Sequence, residues 1–349
     1  PYACMSLSET ERIWYRDMER ILGSFGSQKP LSKEGIAAGL NEESIDKIFQ
    51  CVLNDHPELF YVDGYSYTKY SRGDMLTAVD FSGTYNVDLD AAVDRAQTIG
   101  LAAEQILAGI GMEASDYDKV KYVYDTLIRQ TDYDLDAADN QNIYSVFVNH
   151  TSVCQGYAKA TQYLLNRLGV ECTLVLGTVE TGEGHAWNLV KVDGEYYYVD
   201  TTWGDVSYQM EESALEEGDA RDGAGRVVMP EINYDYLNVT TAELLRTHSI
   251  GDGVPMPVCT ATQANYYVRE GAYFSSYDEA QMAALFQAAI ESGRRDVTIK
   301  CADRACYSEI IAGLIDGQEI FRYLSDEEGQ IAYAQNEKQL SLTFWVTNE

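Results

Sequence analysis

Three residue types that together make a nucleophilic thiol machine fall within one stretch of this 349-residue chain. The stretch runs from Tyr144 to Trp203 and contains Cys154 in VCQGYA, His185 in GHAWNLV and Asp200 in YYYVDTTWGD. Attack by a thiol on a carbonyl needs a thiolate, a base that holds its proton, and an acid that orients the base. After Cys154, the residues Tyr157, Ala160, Leu164, Leu165 and Leu168 keep helical spacing, and Gly169 is placed to end the helix. Cys154 is therefore expected at or just before the first helical turn. Unpaired N–H groups and the positive end of the macrodipole favour a thiolate there. A buried structural cysteine is the competing reading. Gly156 in that turn would let another segment approach closely.

His185 and Asp200 flank a strong two-residue hairpin signal, Asp193-Gly194, between HAWNLVKV and EYYYVDTTW. Folding on that turn pairs Val192 with Glu195 and, counting outward, Trp187 with Asp200. His185 shares a face with Trp187, so His185 and Asp200 are expected as diagonal neighbours. A slip of one residue would undo this. Cys154 would then be the nucleophile, His185 its base and Asp200 the group fixing the imidazole. The Cys154 N–H is expected at the oxyanion, with Tyr144 and Gln155 as cleft support. Trp187 would shield the ion pair from water, or serve as plain core.

Other reactive groups fit less well. His150, four residues before Cys154, sits in an Asn-His-Thr turn and reads as loop surface. His248 has no acid partner fixed by local geometry, and Asp205 lies beyond the expected strand. His56, before Pro57, reads as a helix-end residue. Asp132, Asp134, Asp136 and Asp139 alternate as calcium ligands do, but Ala137 and Ile143 stand where an EF-hand loop needs Gly and an acid. The run reads as a solvated loop. The seven cysteines, at 4, 51, 154, 172, 259, 301 and 306, form no CxxC pair and no zinc spacing; Cys301 and Cys306 are close enough in sequence to pair, but read rather as separate packed thiols. No cofactor is expected and no metal.

The surrounding elements divide the chain into three expected segments. Residues 1–112 are mainly helical: a capping box at Ser8 and Glu11, a buried face of Ile45, Ile48, Phe49, Val52 and Leu53, a hairpin around Arg72-Gly73, and an Ala-rich helix over 88–110. Residues 113–258 form the chemical core, opened by a helix capped at Ser115 and carrying an acidic insertion over 211–226. Residues 259–349 alternate helix and strand, with DVTIKC and LSLTFWV as strands, as a small α+β domain would.

Composition narrows the partners. The net charge of −31, from 56 acidic and 25 basic residues, repels nucleic acid and anionic membranes. No apolar run approaches the ~20 residues of a membrane span, so no integral membrane segment is expected. The opening PYACMSLSET lacks the basic-then-apolar pattern of a signal peptide, but a chain starting at Pro1 rather than Met does not point to the cytosol. The 27 Tyr against nine Phe suit exposed recognition surfaces.

Together, VCQGYA, GHAWNLV and YYYVDTTWGD resemble the three signature segments of the transglutaminase-like superfamily, a branch of the papain-like thiol enzymes, over roughly Asp116 to Asp205. The resemblance implies Cys154, His185 and Asp200 as the catalytic triad. It also implies an α+β core with the Cys helix packed on an antiparallel sheet, and an exported or envelope-associated setting. Activity on protein or peptide amide bonds is expected, with water preferred to an amine as acceptor. Gln–Lys cross-linking, or a non-catalytic binding module that retains the fold, are the alternatives.

Overall fold

The structure, a computed structural model, describes residues 1–205, 230–324 and 331–346. The acidic insertion expected over 211–226 lies outside the described residues. The chain forms two compact units, one of Pro1–Tyr196 with Ser249–Pro257 and one of Tyr197–His248 with Val258–Glu349. These bounds cut across the three segments expected from sequence.

In the first unit, helix α1 (Glu11–Gly23) is opened by the Ser8–Glu11 box. The Ser8 N–H donates to Glu11 Oε2 at 2.8 Å, and the Glu11 N–H to Ser8 Oγ at 3.2 Å. Its apolar face (Trp14, Met18, Ile21, Leu22) and that of α2 (Glu43–Asp55: Ile45, Ile48, Phe49, Val52) are buried together with Val79 and Phe81. The last two come from a long antiparallel hairpin, β1 (Val62–Arg72) and β2 (Met75–Tyr85), which turns at Gly73 with φ 63°. Asp88 caps α3 (Leu89–Leu107) by accepting the Ala91 N–H, and Ser115 caps α4 (Asp116–Gln130) by accepting the Asp118 N–H.

Helix α5 (Cys154–Arg167) then packs on the antiparallel pair β3 (Cys172–Val179) and β4 (Gly184–Val192). The helical N-terminal region is stitched to this core through a residue that periodicity does not mark. Buried Asn54, near the end of α2, donates to the Leu174 carbonyl at 2.8 Å and accepts from Thr173 Oγ1 at 2.9 Å. Its own carbonyl takes Gln162 Nε2 at 2.8 Å. Burying an amide is tolerable only when its donors and acceptors are used in this way.

The chain leaves the first unit within β5 (Glu195–Val199) and returns within β6 (His248–Ile250). In the second unit, β7 (Tyr273–Phe274), β8 (Asp296–Cys301), β9 (Tyr333–Asn336) and β10 (Ser341–Trp345) form a sheet in the order β7-β8-β10-β9. Only β7–β8 is parallel among these pairs. Helices α6 (Glu279–Glu291) and α7 (Arg304–Ile311) cover it with Met282, Phe286 and Ile310, against Ile299, Leu342 and Phe344. Beyond Ile311 the helix widens to a π turn, Ala312–Asp316, which still buries Leu314. The fold is α+β, as expected.

Candidate active site

Cys154 is the first residue of α5, and Val153 before it is extended, φ −115° and ψ 179°. Its lead-in is held tightly. A π turn over Ser145–Asn149 ends at His150, whose φ is 57°. Thr151–Ser152 then pairs in parallel with Asp132–Tyr133. The Ser145 and Ser152 hydroxyls lie 2.6 Å apart, and Tyr157 Oη donates to the Thr131 carbonyl at 2.7 Å. Gly156 is what lets this lead-in lie on the helix. A Cβ there would meet Ser152 Oγ at 1.9 Å and the Asn140 and Asn142 carbonyls at 3.0 and 3.2 Å.

Half-buried, Cys154 packs against a small cluster of Ala158, Leu174 and Ala186. All seven cysteines are free thiols. In the other six, burial is the largest cause of a raised pKa: to about 11 for Cys51 and Cys259, and upward for Cys4, Cys172, Cys301 and Cys306. Of the expected supporting residues, Gln155 lies half-buried in the first turn of α5. The Tyr144 ring lies under the Arg95 guanidinium at 4.3 Å, and Arg95 also pairs with Asp139 at 3.1 Å. Asp139 thus anchors the acidic run, and Asp134 Oδ1 accepts the Asp136 N–H at 2.8 Å within it.

His185 is the second residue of β4, opposite Gly177 on β3, and is 6% exposed. Its ring lies against that of Trp187, centroids 5.8 Å apart at 26°, and Trp187 is fully buried. Gly177 makes room for this pair. A Cβ there would come within 2.6 Å of the indole and 2.1 Å of the Ser249 carbonyl oxygen. Asn188 Nδ2 donates to the Ala158 carbonyl at 2.9 Å, which ties β4 to α5. Asp193 (φ 51°) and Gly194 (φ 88°) are both left-handed, the turn expected after β4.

Asp200 belongs to the second unit, one residue past β5. It is 1% exposed. Its N–H donates to the Tyr236 carbonyl at 3.0 Å, and its Oδ1 accepts the Trp203 N–H at 3.1 Å. Its Oδ2 lies 3.0 Å from His248 Nε2. Local geometry offered His248 no acid partner; the fold supplies Asp200. The pairing is long-range, closed by the Tyr198–Val239 bridge and the Asp200–Tyr236 bond, so local geometry could not reveal it. One signal was available: Thr240 and Glu243 form a capping box that starts a one-turn helix, Thr241–Leu244, just before Thr247 and His248. Asp205 lies beyond the strand, buried and bridged to Ile232, and His150 is exposed in its turn.

The profile of the Transglutaminase-like superfamily matches residues 104–201. That segment is transglutaminase-like. It is similar to the kyphoscoliosis peptidase of Mus musculus, 26% identical over 133 residues, which is 33% of this chain and 20% of that protein. The Homo sapiens kyphoscoliosis peptidase is 24% identical over 151 residues, 36% of this chain and 22% of that protein. The chain therefore spans about a fifth of the length of these relatives. A solved TGase structure is 17% identical, covering 46% of this chain and 48% of that one, at a TM-score of 0.29.

Proposed function

We propose that the protein is a cysteine-dependent enzyme that cleaves amide bonds of proteins or peptides through a Cys154–His185–Asp200 triad, with segment 113–258 carrying the chemistry. The observation that carries this reading is the setting of Cys154. It is half-buried at the first residue of a helix, where the first N–H groups have no intrahelical partner. The superfamily match and the Asp193-Gly194 turn, which sets strand parity for His185 and Asp200, support the partners.

In the proposed cycle the Cys154 thiolate attacks the carbonyl carbon, and the Cys154 N–H stabilises the oxyanion with help from Tyr144 and Gln155. The His185 imidazolium gives its proton to the leaving nitrogen, the C–N bond breaks, and a thioester remains. Water, losing a proton to His185, attacks the thioester. The C–S bond breaks, releasing the carboxylic acid product and restoring the thiolate. Asp200 keeps the imidazole oriented throughout.

A peptide pool incubated with and without a primary amine, and followed by mass, tests this. Products gaining water in the wild type and absent in Cys154→Ala support hydrolysis. Amine adducts that depend on Cys154 would replace water by transamidation. No Cys154-dependent product of either kind would count against an enzyme.

A further inference from the structure

We propose that His248 is a positioning residue for Asp200, held as a hydrogen-bond donor by a buried chain of polar side chains. The role in catalysis rests on the thiol-enzyme reading above; the hydrogen-bond chain does not. Its members all lie in the second unit. Gln339 Nε2 donates toward Tyr236 Oη at 3.2 Å and Thr247 Oγ1 at 3.4 Å, and Tyr236 Oη is 3.3 Å from Thr247 Oγ1. Thr247 Oγ1 is in turn 2.8 Å from His248 Nδ1. All four are buried, Gln339 at 1% and Tyr236 at 2% exposure.

Proton counting along this chain sets its direction. A Gln amide nitrogen only donates, so the hydroxyls of Tyr236 and Thr247 serve it as acceptors. Thr247 then has its own proton to give, and its shortest contact is His248 Nδ1 at 2.8 Å; the Leu244 carbonyl is 3.5 Å away. With Nδ1 accepting, the ring carries its proton on Nε2 and donates to Asp200 Oδ2. The opposite tautomer would set two lone pairs against each other in a site whose side chains are 0% and 1% exposed. The Trp203 and Tyr236 rings, 4.7 and 5.6 Å from the imidazole, pack around it.

Asp200 thus receives two fixed donors, the Trp203 N–H on Oδ1 and His248 on Oδ2. They define the plane of the carboxylate and keep it an acceptor, which is what a triad acid must be. The proposed role of His248 runs through its bond to Asp200.

The full chain and its His248→Gln and His248→Phe variants test this, with Cys154 alkylation by iodoacetamide at mildly acidic pH as a readout that needs no substrate. Gln can place an N–H near the position of the ring Nε2, whereas Phe fills the space without a donor. His248→Phe should slow alkylation about tenfold or more, the effect of one hydrogen bond to a charged group. His248→Gln should stay near the wild type. Nitrogen NMR of the wild-type ring should show the proton on Nε2 alone. Equal slowing in both variants, no slowing in His248→Phe, or a protonated Nδ1 would overturn the proposal. Wild-type Cys154 reacting no faster than Cys4 would instead sink the thiol-enzyme reading, and the positioning role with it.

Discussion

Cys154 and Cys306 both stand at helix starts, and their surroundings differ. Cys306 is the third residue of α7, whose cap Asp303 accepts the Cys306 N–H at 2.8 Å. Its side chain is buried, its Sγ–H donates to the Phe274 carbonyl at 3.3 Å, and burial raises its pKa. Cys154 opens α5 behind Val153, which offers no side-chain cap, and it is only half-buried. At Cys306 the cap carboxylate occupies an N–H that could have served an anion, and a carbonyl takes the thiol proton. At Cys154 neither happens. Position at a helix start is therefore not enough; the cap residue and the fate of the thiol proton decide whether a cysteine is structural.

The sharpest way to break this contrast is to remove each sulfur. Cys154→Ser should reduce turnover by roughly four orders of magnitude or more, as loss of a nucleophile does, with the thermal midpoint nearly unchanged. Cys306→Ala should keep wild-type turnover and lose about 1 kcal/mol of stability with its hydrogen bond. If the two variants lost activity alike, the contrast between the helix starts would have no chemical meaning. The same measurement would then have to be explained by folding alone.

Sequence carried the helix and the turn around the candidate site because their signals are local. The helix after Cys154 follows from apolar spacing, and the turn at Asp193-Gly194 from the need for two left-handed residues. The DVTIKC strand appears over the residues expected of it. What was illegible depends on distant closure. Asn54 looks like an ordinary polar helix residue until Leu174, Thr173 and Gln162 surround it. His248 gains meaning only when the chain brings Asp200 to it across 48 positions. Gln339 is farther still, and nothing around it in the sequence marks it as part of a buried polar chain.

A second contrast, of smaller effect, sets two glycines within helices against each other. Gly156 lies under the lead-in to Cys154, where a Cβ would meet Ser152 Oγ at 1.9 Å and a backbone carbonyl at 3.0 Å. Gly100, inside α3, has nothing within 4 Å of where its Cβ would stand. Gly156→Ala should cost about 2–3 kcal/mol by overpacking and reduce activity by moving Cys154. Gly100→Ala should add about 1 kcal/mol through helix propensity and leave activity alone. Thermal unfolding of both variants reads this directly. Equal shifts would mean that Gly156 is not held by the lead-in.

The smallest expected effect lies at His56, a histidine whose setting differs from that of His248. Its Nδ1 is 2.7 Å from Glu58 Oε1, while Nε2 lies 3.1 Å from Tyr15 Oη and 3.5 Å from Glu19. Burial alone would lower its pKa. The Glu58 hydrogen bond, with the charges of Glu58, Glu19 and Asp55, outweighs burial and raises it. A histidine whose pKa is higher folded than unfolded binds its proton more tightly in the folded state. Its contribution is therefore complete below the unfolded value of about 6.5 and fades as pH rises through the raised folded value. His56→Gln keeps a neutral hydrogen-bonding side chain and removes the titration. The stability difference between wild type and His56→Gln should be largest at mildly acidic pH and shrink as the solution becomes alkaline. A difference that stayed constant across that range would show that the acidic groups around His56 do not favour its charged form.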